Sequence, residues 1–491
     1  MIELRHRSDL TTDVVERIAF GGERLRLDAA LLSEVDASRR QLAGALASGQ
    51  RVYGVNTGMG YLAGTQLTDA EQRAHQRNLL LGRAVGGPPY LDKEEVRAMM
   101  AVRLSGFLSG NTGVSPQLCG FVADRLADGF TPAVPARAIG CAGEIIPLSH
   151  AFQTFLGIGS VIDGQGRLRD AASALADRGV TPYVPAAKEG IAMLAGAPGA
   201  VALAVVHRRR ALILAGQLLC AAACAIDAIR APRSPYSERM ATLAADQTLT
   251  GVLARLRALL AGLSTPWGGK QAPVSFRVVP QVLANLERVL LRLGEDCATA
   301  LAGVDDSPAF LDDEFVTSGG FHAVGLSTGM DMLAIALTQA AELGVQHTHR
   351  MLDARFTGLP DQLTPLPGPR TGLVLVHKRA VGALNELRRL AAPVSIGIAD
   401  TSLGQEDAMS FEFEGAQRLR RVAEIVREII ACELLVARQA WSLRPEVPQA
   451  PGLEGIAASL CAAIEPVRED RPLGSDIAAL VGLLERGELA G

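Results

Sequence analysis

The residues best placed to do chemistry lie between Arg137 and His150, where Gly140-Cys141-Ala142-Gly143-Glu144 runs straight into the apolar Ile145-Ile146-Pro147-Leu148. Small residues ahead of an apolar run lay out a tight loop feeding a helix N-terminus. Unpaired backbone N–H groups and the helix dipole favour negative charge there, so Cys141 could ionise as a nucleophile or an electrophile could be supported. An ordinary glycine turn over a buried cysteine satisfies the same residues, because free cysteine usually behaves as a small hydrophobe. A second loop, residues 52–64, carries Gly54, Gly58, Gly60 and Gly64, with Tyr53 and Tyr61 among them. Its glycines permit positive φ and close approach of backbone to a ligand, and a tyrosine there is either a proton-transfer group or a packing anchor. The spacing after Gly60 does not continue into a Gly-x-Gly-x-x-Gly dinucleotide fingerprint. His347 and His349 fall on different faces of a helix with no obvious carboxylate partner, so no metal site is expected.

The elements that must position these loops are mainly helical. Apolar residues make up 48% of the chain and aromatics only 4%, with Ala and Leu dominant, which describes an aliphatic, helix-forming core. Periodicity predicts helices over 28–48, 69–81 and 93–109, the last two separated by Gly86-Gly87-Pro88-Pro89. A small hairpin is expected over 157–168, the only good strand-turn signal. From about residue 200 the pattern lengthens: 200–230, 247–263, 280–303, 327–350, 371–392 and 412–442 read as long helices side by side in a bundle. Polar loops interrupt it at 268–277, 305–308 and 395–410, and a break at 445–451 precedes a short helical tail. Two domains are expected, 1–199 carrying both glycine-rich loops and 200–491 carrying the bundle and tail.

Composition narrows the partners. Lys and Arg number 48 against 52 Asp and Glu, a net charge of -4 without the basic excess that nucleic acid would require. No secretory signal is expected, since Met1 to Arg7 leads into no apolar run, and His207-Arg208-Arg209-Arg210 interrupts the most apolar helix before it could span a bilayer. Seven scattered cysteines lack a Cys-x-x-Cys pair, and Cys220 and Cys224 sit at helical spacing. This usage fits a reducing cytoplasm, with neither a zinc site nor a disulfide framework.

Taken in order, the motifs resemble the aromatic amino-acid ammonia-lyase and aminomutase family typified by histidine ammonia-lyase. Tyr53-Gly54-Val55-Asn56-Thr57-Gly58-Met59-Gly60 is similar to its catalytic-tyrosine loop, Gln76-Arg77-Asn78-Leu79-Leu80 to the helix that follows, and residues 140–150 to its prosthetic-group motif. Lys188-Glu189-Gly190, residues 271–281 with Arg277, Ser318-Gly319-Gly320-Phe321-His322-Ala323 and Gln405-Glu406-Asp407 match in type and order. The resemblance implies a mainly α subunit of the histidine ammonia-lyase/fumarase-like superfamily, with a long central helical bundle and a smaller N-terminal domain. It also implies a homotetramer with shared active sites and an electrophilic methylidene-imidazolone made from an internal Ala-Ser-Gly. On this basis Tyr53 is the base, Arg277 pairs with a substrate carboxylate, and Glu406 sits near the amine. Gly60, Phe321 and Gln405 join the substrate site, and Arg83 stands where the family selects the substrate ring.

The aligned triad here is Cys141-Ala142-Gly143, and Ala142 has no leaving group on Cβ. The standard dehydration cannot occur, so no methylidene-imidazolone cofactor is expected. Family asparagine positions hold Ala195 and Gly320, and a family tyrosine position holds Val274. With Arg83 added as a cation, the expected substrate is a small molecule that is anionic or bears a carboxylate. The chain then reads as an enzyme on the ammonia-lyase scaffold using Tyr53 without the cofactor. Alternatives are an inactive homologue that binds ligand or a paralogous subunit, covalent catalysis at Cys141, and a shifted electrophile closed from Gly140-Cys141-Ala142. The expected intact mass is that of the unmodified polypeptide, with no added near-ultraviolet band; a dehydrated or sulfide-depleted mass would overturn the cofactor-free reading.

Overall fold

The computed structural model of the chain describes residues 1–262, 271–445 and 449–490. The helices follow the apolar periodicity closely: Ala29–Ala47, Asp69–Leu81, Lys93–Phe107, Pro198–Ala228, Gln247–Leu259, Val279–Ala302, Val324–Met351, Val374–Leu390 and Glu412–Ser442. Their starts are written locally. Thr68 and Glu71 form a capping box at the head of Asp69–Leu81, and Asp92 with Glu95 does the same for Lys93–Phe107. Residues 263, 268–270 and 446–448, which belong to an expected helix end, loop and break, lie outside the described residues.

Strand content exceeds the sequence expectation. The expected hairpin exists as Ser160–Ile162 paired antiparallel with Leu168–Asp170, but two further pairs accompany it. Ile2–Leu4 lies parallel to Leu25–Leu27, and Ala309–Leu311 folds back on Glu314–Val316 through Asp312 and Asp313, both at positive φ. Three-residue strands carry too little alternation to be seen as periodicity, and an Asp-Asp turn replaces the Asn-Gly signature.

The compact units are divided differently from a boundary at 199/200. The chain forms two compact units, one of residues 1–208, 293–330 and 394–417, the other of 209–292, 331–393 and 418–491. The physical reason is helix length: Pro198–Ala228, Val279–Ala302, Val324–Met351 and Glu412–Ser442 each contain a boundary, so one helix serves both cores. An 18-residue window within Glu189–Ala228 reaches a mean hydropathy of 1.9 despite the nearby charges, and 83% of it is buried inside the protein, as for a core helix.

Within the first unit, the helices Asp69–Leu81, Ile145–Gln153 and Glu189–Leu194 pack on one another. They bury Leu79, Leu80, Leu148, Ile191 and Leu194 completely, each worth about 1.5–3 kcal/mol relative to exposure. Phe152 meets Phe155 edge-on at 5.2 Å beneath them. The Lys188-Glu189-Gly190 block supplies their polar anchors. Lys188 Nζ pairs with Asp306, both side chains sealed from solvent, and Glu189 accepts from Ser115 Oγ at 2.6 Å, Tyr183 Oη at 2.9 Å and Arg39 at 3.1 Å. Gly190 admits no side chain, because a Cβ there would come within 2.2 Å of the Gln76 carbonyl oxygen. Lys188→Met, which strands Asp306 as a buried carboxyl, should destabilise the protein by about 3–5 kcal/mol in denaturant unfolding, with partial recovery in Lys188→Met/Asp306→Leu.

Candidate active site

The tyrosine loop is held from behind by Gln76. Its Nε2 donates to the Gly54 carbonyl at 3.0 Å while its Oε1 accepts from the Ile191 N–H at 3.1 Å, so one buried amide joins the loop to the helix Glu189–Leu194. Gly54 has φ +67, and a Cβ there would lie 2.2 Å from Ile191 Cδ1, which fixes glycine at that position. Asn56 closes the loop on itself, accepting from Val52 N–H at 2.7 Å. At its far end the Gly60 N–H donates to Tyr53 Oη at 2.7 Å, orienting the phenol.

The loop bearing Cys141 is held by acidic side chains. Glu144, fully buried, accepts from the Gly199 and Ala200 N–H groups at 2.6 Å each, capping the helix Pro198–Ala228. The Ile139 N–H donates to Glu414 Oε1 at 3.3 Å and the Ala142 N–H to Glu406 Oε2 at 3.1 Å. Burial and the neighbouring Glu412 push the Glu144 carboxyl well above the usual range despite its backbone donors, and burial likewise raises Glu412 and Glu414.

These two loops meet at a cavity of about 770 Å3 built entirely from the first unit. Tyr53, Gly60, Arg83, Phe321, Gln405 and Glu406 all line it, as do Ala142 and Gly143. Arg83 does two jobs: its Nη1 donates to the Leu79 carbonyl at 3.3 Å, at the end of its helix, while the side chain faces the cavity. Burial lowers its pKa, and Tyr53 and Glu406 oppose that shift. It is the only cation among the described lining residues. Behind the lining residue Gly196 stands Asp305, whose two oxygens accept from Arg103 Nη2 at 3.0 and 3.1 Å and which also accepts from the Ala197 N–H at 2.7 Å. Gly196 has φ +91, and a Cβ there would lie 2.3 Å from Asp305 Oδ2.

Several expected site residues are elsewhere. Arg277 and Val274 belong to the second unit, with Val274 exposed, and neither lines the cavity. Gly320 lines a neighbouring space of about 300 Å3 with Arg7, Asp305 and His322, so of the three small replacements only Ala195 bears on the Tyr53 cavity. Sequence reading missed the role of Glu144; a carboxylate just ahead of one helix gives no sign that it caps another 55 residues on.

Burial opposes a thiolate at Cys141. The Ile145 and Ile146 N–H groups do favour the anion, but burial outweighs them and Glu412 and Glu406 add to it, so the thiol is pushed up to about 12. Cys141 Sγ instead donates to the Gly143 carbonyl at 3.1 Å. The triad does not fit a methylidene-imidazolone: Ala142 offers only a methyl group, and the nitrogen a closure from Gly140-Cys141-Ala142 would use is a donor to Glu406. Buried and with its thiol raised, Cys141 should resist iodoacetamide. Among the described cysteines only Cys461 is exposed, so peptide mapping should find Cys461 alkylated in the native protein and the other six only after unfolding.

Comparison with known proteins agrees with this architecture. Residues 10–464 match the aromatic amino acid lyase family. The chain is 31% identical over 492 residues to a histidine ammonia-lyase of Sorangium cellulosum (strain So ce56), covering 97% of this chain and 96% of that protein. Among solved structures it is similar to tyrosine aminomutase from Streptomyces globisporus, with TM-score 0.93 and 27% identity over 99% of this chain and 98% of that one. Histidine ammonia-lyase from Trypanosoma cruzi follows at TM-score 0.90 and 27% identity, covering 100% and 94%. The mainly helical fold is therefore that of the histidine ammonia-lyase/fumarase-like superfamily. Matched through nearly its whole length, in a fold that brings the tyrosine loop and the altered triad to one cavity, the chain belongs to the aromatic amino acid lyase family.

Proposed function

We propose that this protein is an ammonia-lyase-like enzyme that works without a methylidene-imidazolone, on an amino-acid-like substrate whose tail carries negative charge. The observation that carries this reading is one cavity lined by Tyr53, Arg83 and Glu406 around an Ala142 that cannot be dehydrated. The names of its relatives, histidine ammonia-lyase and tyrosine aminomutase, support an amino-acid substrate.

Without an electrophile, the substrate itself must make its C–H acidic. A tail carboxylate beside that carbon does so when a cation meets the charge that develops on it, and Arg83 is suited to this with its planar, forked donors. The phenolate form of Tyr53 takes the proton, and the electron pair spreads onto the tail carboxylate beside Arg83. The pair then returns to form a C=C bond as the C–N bond breaks, and the ammonium group, near Glu406, leaves as ammonia. Arg277 would pair with the other carboxylate. Since it lies outside the cavity lining, another copy in a homotetramer with shared sites would supply it. A second reading, ligand binding without turnover, is favoured by Ala142 and Ala195, which present only methyl groups to the cavity.

The test is a panel of amino acids and acidic metabolites assayed with wild type, Tyr53→Phe and Arg83→Gln. Turnover should favour acidic substrates and fall about 10²- to 10⁴-fold in Tyr53→Phe, while Arg83→Gln should lose the acidic preference. Undiminished turnover in Tyr53→Phe would remove it as the base, and saturable binding without turnover by wild type would support the second reading.

A further inference from the structure

The second unit contains a cavity of its own, about 340 Å3, lined by Arg233, Ser234, Tyr236, Ser237, Arg257 and Leu260. Arg257 stands in the last turn of the helix Gln247–Leu259, and its Nη1 is shut off from solvent with no hydrogen-bond partner among the described residues. Arg233 is exposed at the same cavity. Neither has an ion-pair partner among the described residues. The contrast with nearby arginines is plain: Arg255 on the same helix pairs with Glu287, and Arg288 pairs with Asp246 at the head of that helix. No carboxylate appears among the described lining residues, and residues 263–270, which follow in the chain, contain neither Asp nor Glu.

A buried N–H without an acceptor is costly, and the carbonyls at the helix C-terminus give Nη1 no partner among the described residues. Two guanidinium groups and two serine hydroxyls on one small cavity make a donor set for oxygens carrying negative charge. The site also has a connection outward. Tyr236 Oη donates to the Phe276 carbonyl at 2.8 Å, one residue from Arg277.

We propose that this cavity is a second ligand site, for a small oxyanion held between Arg257 and Arg233, either free phosphate or the phosphate or carboxylate group of a metabolite. Isothermal titration calorimetry and thermal unfolding of the full chain test this with inorganic phosphate and, separately, citrate, each against sodium chloride at matched ionic strength. Saturable binding is expected with at least one probe, and the tighter of the two identifies the oxyanion. It should weaken about tenfold or more in Arg257→Gln and in Arg233→Gln, and persist in Arg83→Gln, which removes the cation of the first-unit cavity. Arg233 is exposed, so its variant keeps the test valid should Arg257→Gln fail to fold. No saturable binding above the chloride control, binding that survives both second-unit variants, or binding lost in Arg83→Gln would each overturn the proposal.

Discussion

The Glu144 carboxyl, sealed from solvent and accepting the Gly199 and Ala200 N–H groups, ties the altered triad to the first turn of the helix Pro198–Ala228. That helix is 31 residues long, and its positive end is where a carboxyl is best received. The rest of the active-site wall depends on this contact, because it fixes the loop between Cys141 and Ile145 against the scaffold. Glu406 and Glu414 hold the same loop by its N–H groups. Burial is the main reason the neighbouring Cys141 thiol is pushed up, and the carboxyls of Glu412 and Glu406 add to it.

The cavity's chemistry follows from that arrangement. Carboxyls occupy backbone donors around the triad, and Ala142 presents only a methyl group to the cavity. What remains available to a substrate is Tyr53, oriented by the Gly60 N–H, and the half-buried Arg83. On the reading proposed above, charge on the substrate takes over the activating role that a covalent electrophile has elsewhere in the family.

The two units divide their charged groups differently. The first spends most of its buried charge on architecture: Lys188 with Asp306, Arg103 with Asp305 and Glu189 with its five donors hold the helices behind the cavity. In the second, the Nη1 of Arg257 has no hydrogen-bond partner among the described residues. The second unit also anchors the segment before Arg277 through buried groups, since His347 bonds both Glu433 and the Ser275 carbonyl. Such buried pairs act chiefly by making one local arrangement more favourable than its neighbours, and contribute less to net stability than their number suggests.

Much of the site was legible without coordinates. Helix positions followed from apolar spacing and from caps such as Thr68 with Glu71, because helical hydrogen bonds and caps are local in sequence. Motif resemblance groups Tyr53, Arg83, Phe321, Gln405 and Glu406, which line one cavity, and that Ala142 carries only a methyl group is a matter of composition alone. Tertiary structure decided what depends on contacts between distant residues: that Glu144 caps a helix 55 residues on, that Cys141 is buried among carboxyls, that Gly320 faces a different space, and that Arg277 belongs to the other unit. Desolvation and charge coupling act through space, so the ionisation of Cys141 and the membership of the cavity could be settled only once the chain had brought those residues together.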